Sequence, residues 1–137
     1  MREILFRVWK IDAERMIDGN DVIIDFVGNR LSGIKSRPHI TSQRIETCGD
    51  ISDQFVLMQY IGIQDAIGQK IFEGDVVGDR YPKEICFSDY HGGFVGRLLT
   101  ERDQDLKYAG QPLTQEWFDT LGITIIGNIY LNPELLK

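Results

Sequence analysis

The chain has 137 residues, 42% of them hydrophobic and 26% charged, which fits one globular domain or two small ones that bury a core without a metal or disulfide. Its net charge of −6 and pI near 4.8 disfavour nonspecific binding to a phosphate backbone. Because the N-terminus lacks the apolar core of a signal peptide and no apolar run reaches the ~18 residues of a membrane span, we expect a cytoplasmic location in a bacterial host cell with both thiols reduced.

The N-terminal part predicts strands followed by a long irregular segment. Residues 3–9 alternate apolar and polar side chains, which indicates a half-buried strand, and a return strand begins at 15–17. The β-branched run 22–27 is a further strand. From 28 to 53 the periodicity fades, and we expect a long loop with one short strand around 44–47.

The C-terminal part predicts short strands separated by turn signals. Residues 55–62 form the first strand, and Asp65 and Gly68 suit a type I turn followed by a left-handed glycine. Further strands are predicted within 70–74, 75–81, 83–90, 94–101 and 123–131. Turn signals at this spacing are typical of a small barrel or a tightly coiled sheet.

Two helical segments are predicted near the C-terminus. Thr114 can cap the N-terminus of a helix that Gly122 closes, with an apolar stripe formed by Leu113, Trp117, Phe118 and Leu121. In the final segment Asn132 can cap a last helical turn that starts at Pro133.

These elements predict a mainly β fold, with α+β as the alternative. We expect an N-terminal β segment with a long irregular loop over 1–54. It would pack as one unit with an SH3-like or related small β-barrel over 55–137, which also carries one or two short helices.

Three sequence blocks resemble the YopX family of phage and prophage proteins: REILFRVWK, LMQYIGIQDAIGQKIFEGDVV and IIGNIYLNPELL. The resemblance implies a phage or prophage origin and a β-rich fold, but no activity and no catalytic residues. The family's usual Asn-Gly turn is here Ile67-Gly68, and 28–53 matches no block. Eight residues of this chain match positions of the family's sequence pattern, and we interpret them as structural. They are Gly62, Gly68, Glu73, Gly74, Asp75, Gly127, Asn128 and Pro133.

Glu73 and Asp75 are the first candidates for chemistry. On a regular strand both carboxylates point to one side and could bind Mg²⁺ or act as an acid/base pair. An aspartate after glycine more often accepts backbone N–H bonds where the chain turns into a strand, so we favour architecture.

The remaining residue patterns for catalysis or metal binding are weak. The chain contains no nucleophile motif and no phosphate-binding loop. The acidic residues Glu101, Asp103 and Asp105 indicate a solvated loop. Candidate zinc ligands are His39, Cys48, Cys86 and His91, whose spacing matches no zinc motif. We therefore predict no catalytic residues, no metal and no cofactor.

Nucleic-acid binding is the main alternative to protein binding. Trp9, Tyr60, Tyr81, Tyr90 and Trp117 could stack on bases, but most fall on predicted core faces without interleaved basic residues. Candidate basic patches comprise Arg2, Arg7 and Lys10, and Arg30, Lys35, Arg37 and Arg44. We expect instead a non-enzymatic accessory protein that binds another protein, with homo-oligomerisation as an option.

Overall fold

The computed structural model describes residues 3–18, 22–27, 30–36, 55–78, 81–101 and 110–136. The fold is mostly β, with one short α-helix and one sheet curled into a half-barrel, so the mainly β prediction is confirmed. The chain divides into two compact units, residues 5–58 and residues 1–4 with 59–137. Among the described residues, no helix is long and apolar enough to span a membrane.

The unit formed by residues 5–58 contains two antiparallel hairpins. The first pairs β1 (Phe6–Lys10) with β2 (Arg15–Asp18), as the alternation predicts, and buries Val8 and Trp9. The second pairs β3 (Val22–Val27) with β4 (Arg30–Ser36), with a bulge between Asp25 and Phe26.

Strand β4 corrects the prediction of an irregular segment over 28–53. Its sequence RLSGIKS has no clear period of two and contains a glycine, so β-propensity alone does not identify it. The adjacent β3 supplies the hydrogen-bonding partner that makes a weakly patterned segment extended. The strand expected around 44–47 lies outside the described residues.

Strand β5 (Phe55–Gln64) begins in the first unit and ends in the second. It continues two residues past the predicted end at Gly62, which has a φ of 87°. The register against β6 (Lys70–Phe72) shifts between Tyr60 and Gln64, so Gly62 lies in a β-bulge. A positive φ is a conformation that glycine adopts without a steric penalty.

The rest of the second unit is a five-stranded antiparallel sheet that follows β6. Its strands are β7 (Asp75–Val77), β8 (Lys83–Ser88), β9 (Gly93–Leu98), β10 (Gln111–Pro112) and β11 (Ile125–Asn128). The spatial order is β10-β9-β8-β7-β11, which leaves β10 and β11 at the edges. Two 3₁₀ helices cover Leu99–Glu101 and Pro133–Leu136.

The core of this unit lies between the sheet and helix α1 (Gln115–Leu121). Its buried residues are Ile71, Val77, Ile85, Phe118 and Ile123. The helix is built as predicted: the Thr114 side chain accepts a hydrogen bond from the Trp117 backbone N–H at 3.1 Å, and Gly122 closes the helix at a φ of 65°. Leu121, predicted as part of the apolar stripe, is exposed at the end of this seven-residue helix.

Candidate functional site

Glu73 and Asp75 bind two different segments of the backbone. Both flank Gly74, whose φ of 87° turns the chain from β6 into β7. A Glu73 oxygen accepts a hydrogen bond from the Gln59 N–H at 3.0 Å, and the Glu73 N–H donates to the Gln59 carbonyl at 3.0 Å. Asp75 accepts from the Phe72 N–H at 2.9 Å. Each carboxylate thus accepts a partly buried backbone N–H, that of Gln59 in β5 for Glu73 and that of Phe72 in β6 for Asp75.

Burial raises the pKa of Glu73, while its hydrogen bond from Gln59 opposes that rise. Such a shift is compatible with acid/base chemistry, but chemistry needs a second group at the same place. The described part of the chain contains no group of three or more His, Cys, Asp or Glu side chains that could hold a metal ion. The hydrogen bonds of Glu73 connect the turn after β6 to Gln59 of β5.

Asp65 is a structural carboxylate whose full set of contacts the sequence does not reveal. It is buried, and one oxygen accepts hydrogen bonds from the N–H groups of Ile67 at 3.1 Å and Gln69 at 2.8 Å. The other oxygen accepts from the Ile125 N–H at 3.0 Å. The turn itself has the predicted geometry, because the Gly68 N–H donates to the Asp65 carbonyl and Gly68 has a φ of 88°.

The C-terminal block is tied together around Asn128. Its side-chain N–H donates to Asp75 at 3.3 Å, and its side-chain oxygen accepts from the Tyr130 N–H at 2.8 Å. Its backbone N–H donates to the side-chain oxygen of Asn132 at 3.0 Å. A Cβ on Gly127 would lie 2.6 Å from the Leu135 side chain, so the final 3₁₀ helix packs directly on this glycine.

The candidate zinc ligands are only partly described. His39 and Cys48 lie outside the described residues, as do Asp103 and Asp105 of the acidic segment. Burial raises the pKa of the Cys86 thiol, Arg97 opposes the rise, and Glu84 and Glu73 add to it. His91 Nδ1 lies 2.8 Å from the Ser88 hydroxyl, so this ring nitrogen is engaged within the hairpin loop.

The aromatic residues considered for base stacking differ in exposure. Trp9 and Tyr60 are buried. Lys83 Nζ lies 5.5 Å from the centre of the Trp117 ring. Tyr81 and Tyr90 are exposed.

Among the candidate basic residues, Arg7 and Lys10 have side-chain contacts within the first unit. Arg7 donates to the Met58 sulfur at 3.8 Å, and Lys10 lies 3.8 Å from Asp12. Arg30 and Lys35 belong to β4. Arg2, Arg37 and Arg44 lie outside the described residues.

One surface hollow combines exposed aromatic rings with a positive charge. It lies at the β8–β9 hairpin, has a volume of about 490 Å³ and is lined by Phe87, Ser88, Asp89, Tyr90 and Arg97. We call it the hairpin hollow. Its volume falls within the ~300–1,000 Å³ range of binding pockets.

The wall of the hairpin hollow is held in place by the hairpin itself. Phe87 packs edge-on against its cross-strand partner Phe94, with ring centres 5.4 Å apart. The Gly92 N–H donates to the Ser88 carbonyl at 2.9 Å, and the Ser88 hydroxyl accepts from the His91 N–H at 3.3 Å. These bonds close the loop that carries Tyr90, whose ring packs edge-on against His91.

The sequence contains a partial signal for this hollow. The apolar residues Ile85 and Phe87 alternate with polar or small neighbours along β8, and Ile85 is buried while Phe87 remains 51% exposed. Arg97 lies on the neighbouring strand in register with Glu84, a pairing that depends on the hairpin register. The hollow was not predicted from the sequence, although aromatic residues on both sides of a Gly-rich turn mark its location.

The comparisons with known proteins agree with the sequence blocks. The family model of the YopX protein matches residues 5–137. The crystal structure of protein EF1440 from Enterococcus faecalis is similar over 100% of both chains, with a TM-score of 0.67 and 27% sequence identity. No curated protein matches.

Proposed function

The chain belongs to the YopX protein family, and from this premise we propose that it is a phage or prophage accessory protein that acts by binding another protein in the bacterial cytoplasm. The observation that carries the proposal is the hairpin hollow. It presents Phe87 at 51% and Tyr90 at 62% exposure beside Arg97 on a hairpin closed by its own hydrogen bonds. Aromatic residues and arginine are the side chains enriched at protein interfaces and their hot spots.

The carboxylates that suggested an enzyme support this proposal indirectly. Glu73 and Asp75 each accept a hydrogen bond from a backbone N–H group. A carboxylate engaged in this way stabilises a turn and is a poor candidate for a catalytic acid or metal ligand. The acidic net charge also favours a protein partner over nucleic acid.

The test is an affinity capture of the tagged chain from infected or prophage-induced lysate, in nuclease-treated and untreated halves. The informative variant is Tyr90→Ala, and the matched control is Tyr81→Ala, because the two tyrosines are 62% and 60% exposed. We expect a protein partner that survives nuclease, is lost with Tyr90→Ala and is retained with Tyr81→Ala.

Two results would contradict the proposal. Proteins that disappear after nuclease treatment would indicate nucleic-acid binding. A partner that both variants retain, with circular dichroism spectra like that of the parent chain, would show that the hairpin hollow is not the binding surface. The same capture, followed by size measurement, distinguishes a second copy of the chain from a different protein.

A further inference from the structure

Arg97 gives the hairpin hollow a chemical preference. Its Nε is shielded from solvent, and among the residues that the structure describes it has no hydrogen-bond partner. A buried donor without an acceptor is unfavourable, and a charged one more so. Arg97 also lines the hairpin hollow, where the rest of its guanidinium can donate to an acceptor on a bound molecule.

The surroundings of Arg97 restrict what the acceptor can be. Asp89 lies on the wall of the same hollow, and Glu84 is the cross-strand neighbour of Arg97. These two carboxylates, together with the net charge of −6, oppose a strongly acidic partner segment. A single carboxylate accompanied by apolar groups adds little negative charge and suits a hollow that is lined by Arg97 and by the exposed residues Phe87 and Tyr90.

Resting on the proposed function, we propose that the hairpin hollow binds a short partner segment through one carboxylate, taken by Arg97, with a neighbouring aromatic side chain that packs on Phe87 and Tyr90. Planar guanidinium groups match carboxylates in a two-pronged geometry that lysine does not reproduce. The recognised unit is thus one Asp or Glu side chain flanked by aromatic residues, and not an acidic run.

The direct test uses two blocked pentapeptides, Ac-Gly-Phe-Glu-Phe-Gly-NH₂ and its counterpart with Gln in place of Glu. Backbone amide NMR titration of the full chain reports where and how tightly each binds. We expect the Glu peptide to shift amides of 87–97 and to bind about tenfold or more tightly than the Gln peptide, the usual worth of a charge-assisted hydrogen bond.

Variants of the chain test whether binding depends on the positive charge at position 97 or on the planar shape of the guanidinium group. Arg97→Gln and Arg97→Lys should each weaken binding of the Glu peptide about tenfold and leave the Gln peptide unchanged. Arg15→Gln removes the same charge from an exposed position in the other unit and should change neither. Asp89→Asn removes an opposing charge and should strengthen binding of the Glu peptide.

The inference is overturned if neither peptide shifts 87–97, if both bind equally, or if Arg97→Gln leaves the Glu peptide unaffected. Its failure is distinguishable from failure of the proposed function by the lysate capture. A nuclease-resistant partner that is lost with Tyr90→Ala but retained with Arg97→Gln would support protein binding by the hairpin hollow. The same result would refute the recognition of a carboxylate by Arg97.

Discussion

The side chain of Asp65 joins two parts of the fold by accepting a hydrogen bond from the backbone N–H of Ile125, sixty residues further along the chain, at 3.0 Å. The same carboxylate closes its own hairpin turn through Ile67 and Gln69. One buried side chain therefore couples the β5–β6 turn to the first residue of β11.

Asp65→Ala should destabilise the chain strongly, because it leaves three backbone N–H groups without their acceptor. We expect a loss of roughly 1–3 kcal/mol in the free energy of unfolding, because the Ile125 N–H loses its acceptor inside the fold while the N–H groups of the exposed residues Ile67 and Gln69 can turn to water. Urea denaturation of the variant and the parent chain measures this loss in the free energy of unfolding. Asp12→Ala is the control, because Asp12 is exposed and its ion pair with Lys10 at 3.8 Å contributes less than about 1 kcal/mol. Equal losses in the two variants would refute the structural role of Asp65.

Gly127→Ala should destabilise the C-terminal block. The new Cβ would lie 2.6 Å from Leu135 Cδ1 and 2.9 Å from the Asn132 oxygen that accepts the Asn128 N–H. Overpacking of this kind costs roughly 1–3 kcal/mol. Thermal unfolding tests it against Gly93→Ala, where a Cβ would meet nothing within 4 Å. If Gly127→Ala were no more destabilising than Gly93→Ala, the final 3₁₀ helix would not be packed as described.

The Glu73 carboxyl should make stability depend on pH in a defined direction. Burial raises its pKa in the folded state above the ordinary value of 4.5, so the folded chain holds this proton more tightly than the unfolded chain. The stabilisation from this group is complete below pH 4.5 and is lost as the pH rises through the folded-state pKa.

Glu73→Gln removes that titration and keeps a side-chain oxygen for the Gln59 N–H. Its stability relative to the parent chain should therefore improve as the pH rises from below 4.5 to neutrality. Urea denaturation across this range measures the difference, with Glu134→Gln as the control for an exposed carboxylate. A relative stability that falls with rising pH would mean that the Glu73 pKa is lowered and not raised.

The pKa of the Cys86 thiol should depend on the charged side chains around it. Burial raises its pKa, Arg97 lowers it and Glu84 raises it. In a Cys48→Ser background, the midpoint of the pH–rate profile for alkylation by iodoacetamide follows the thiol pKa, because the thiolate is the nucleophile. Arg97→Gln should move the midpoint to higher pH and Glu84→Gln to lower pH, whereas Arg15→Gln should leave it in place. An unchanged midpoint with Arg97→Gln would place that guanidinium away from the sulfur.

Local signals in the sequence predicted the elements whose residues have a strong preference of their own. The run 22–27 is β-branched and forms β3 with the predicted bounds. Thr114 and Gly122 stand where a helix begins and ends, and the side-chain cap and the left-handed φ are both present. These features depend on neighbours within a few residues, so the chain specifies them before any tertiary contact forms.

Features that depend on a distant partner could not be predicted. Strand β4 has a weak pattern and is extended because β3 pairs with it. The wall of the hairpin hollow depends on register, which places Arg97 opposite Glu84 and Phe94 opposite Phe87. A shift of one residue would send these side chains to the other face of the sheet.

By itself the sequence determined that this is an acidic, mainly β protein of the YopX type, because composition, alternation and turn residues act locally. Only the tertiary structure decided what the carboxylates and aromatic residues do. Asp65, Glu73 and Asp75 accept backbone N–H groups from other elements, and Phe87 and Tyr90 remain exposed beside Arg97. The physical reason is that burial and hydrogen-bond partnership are properties of the packed chain, so the same residue type is buried in one place, as Tyr60 is, and exposed in another, as Tyr90 is.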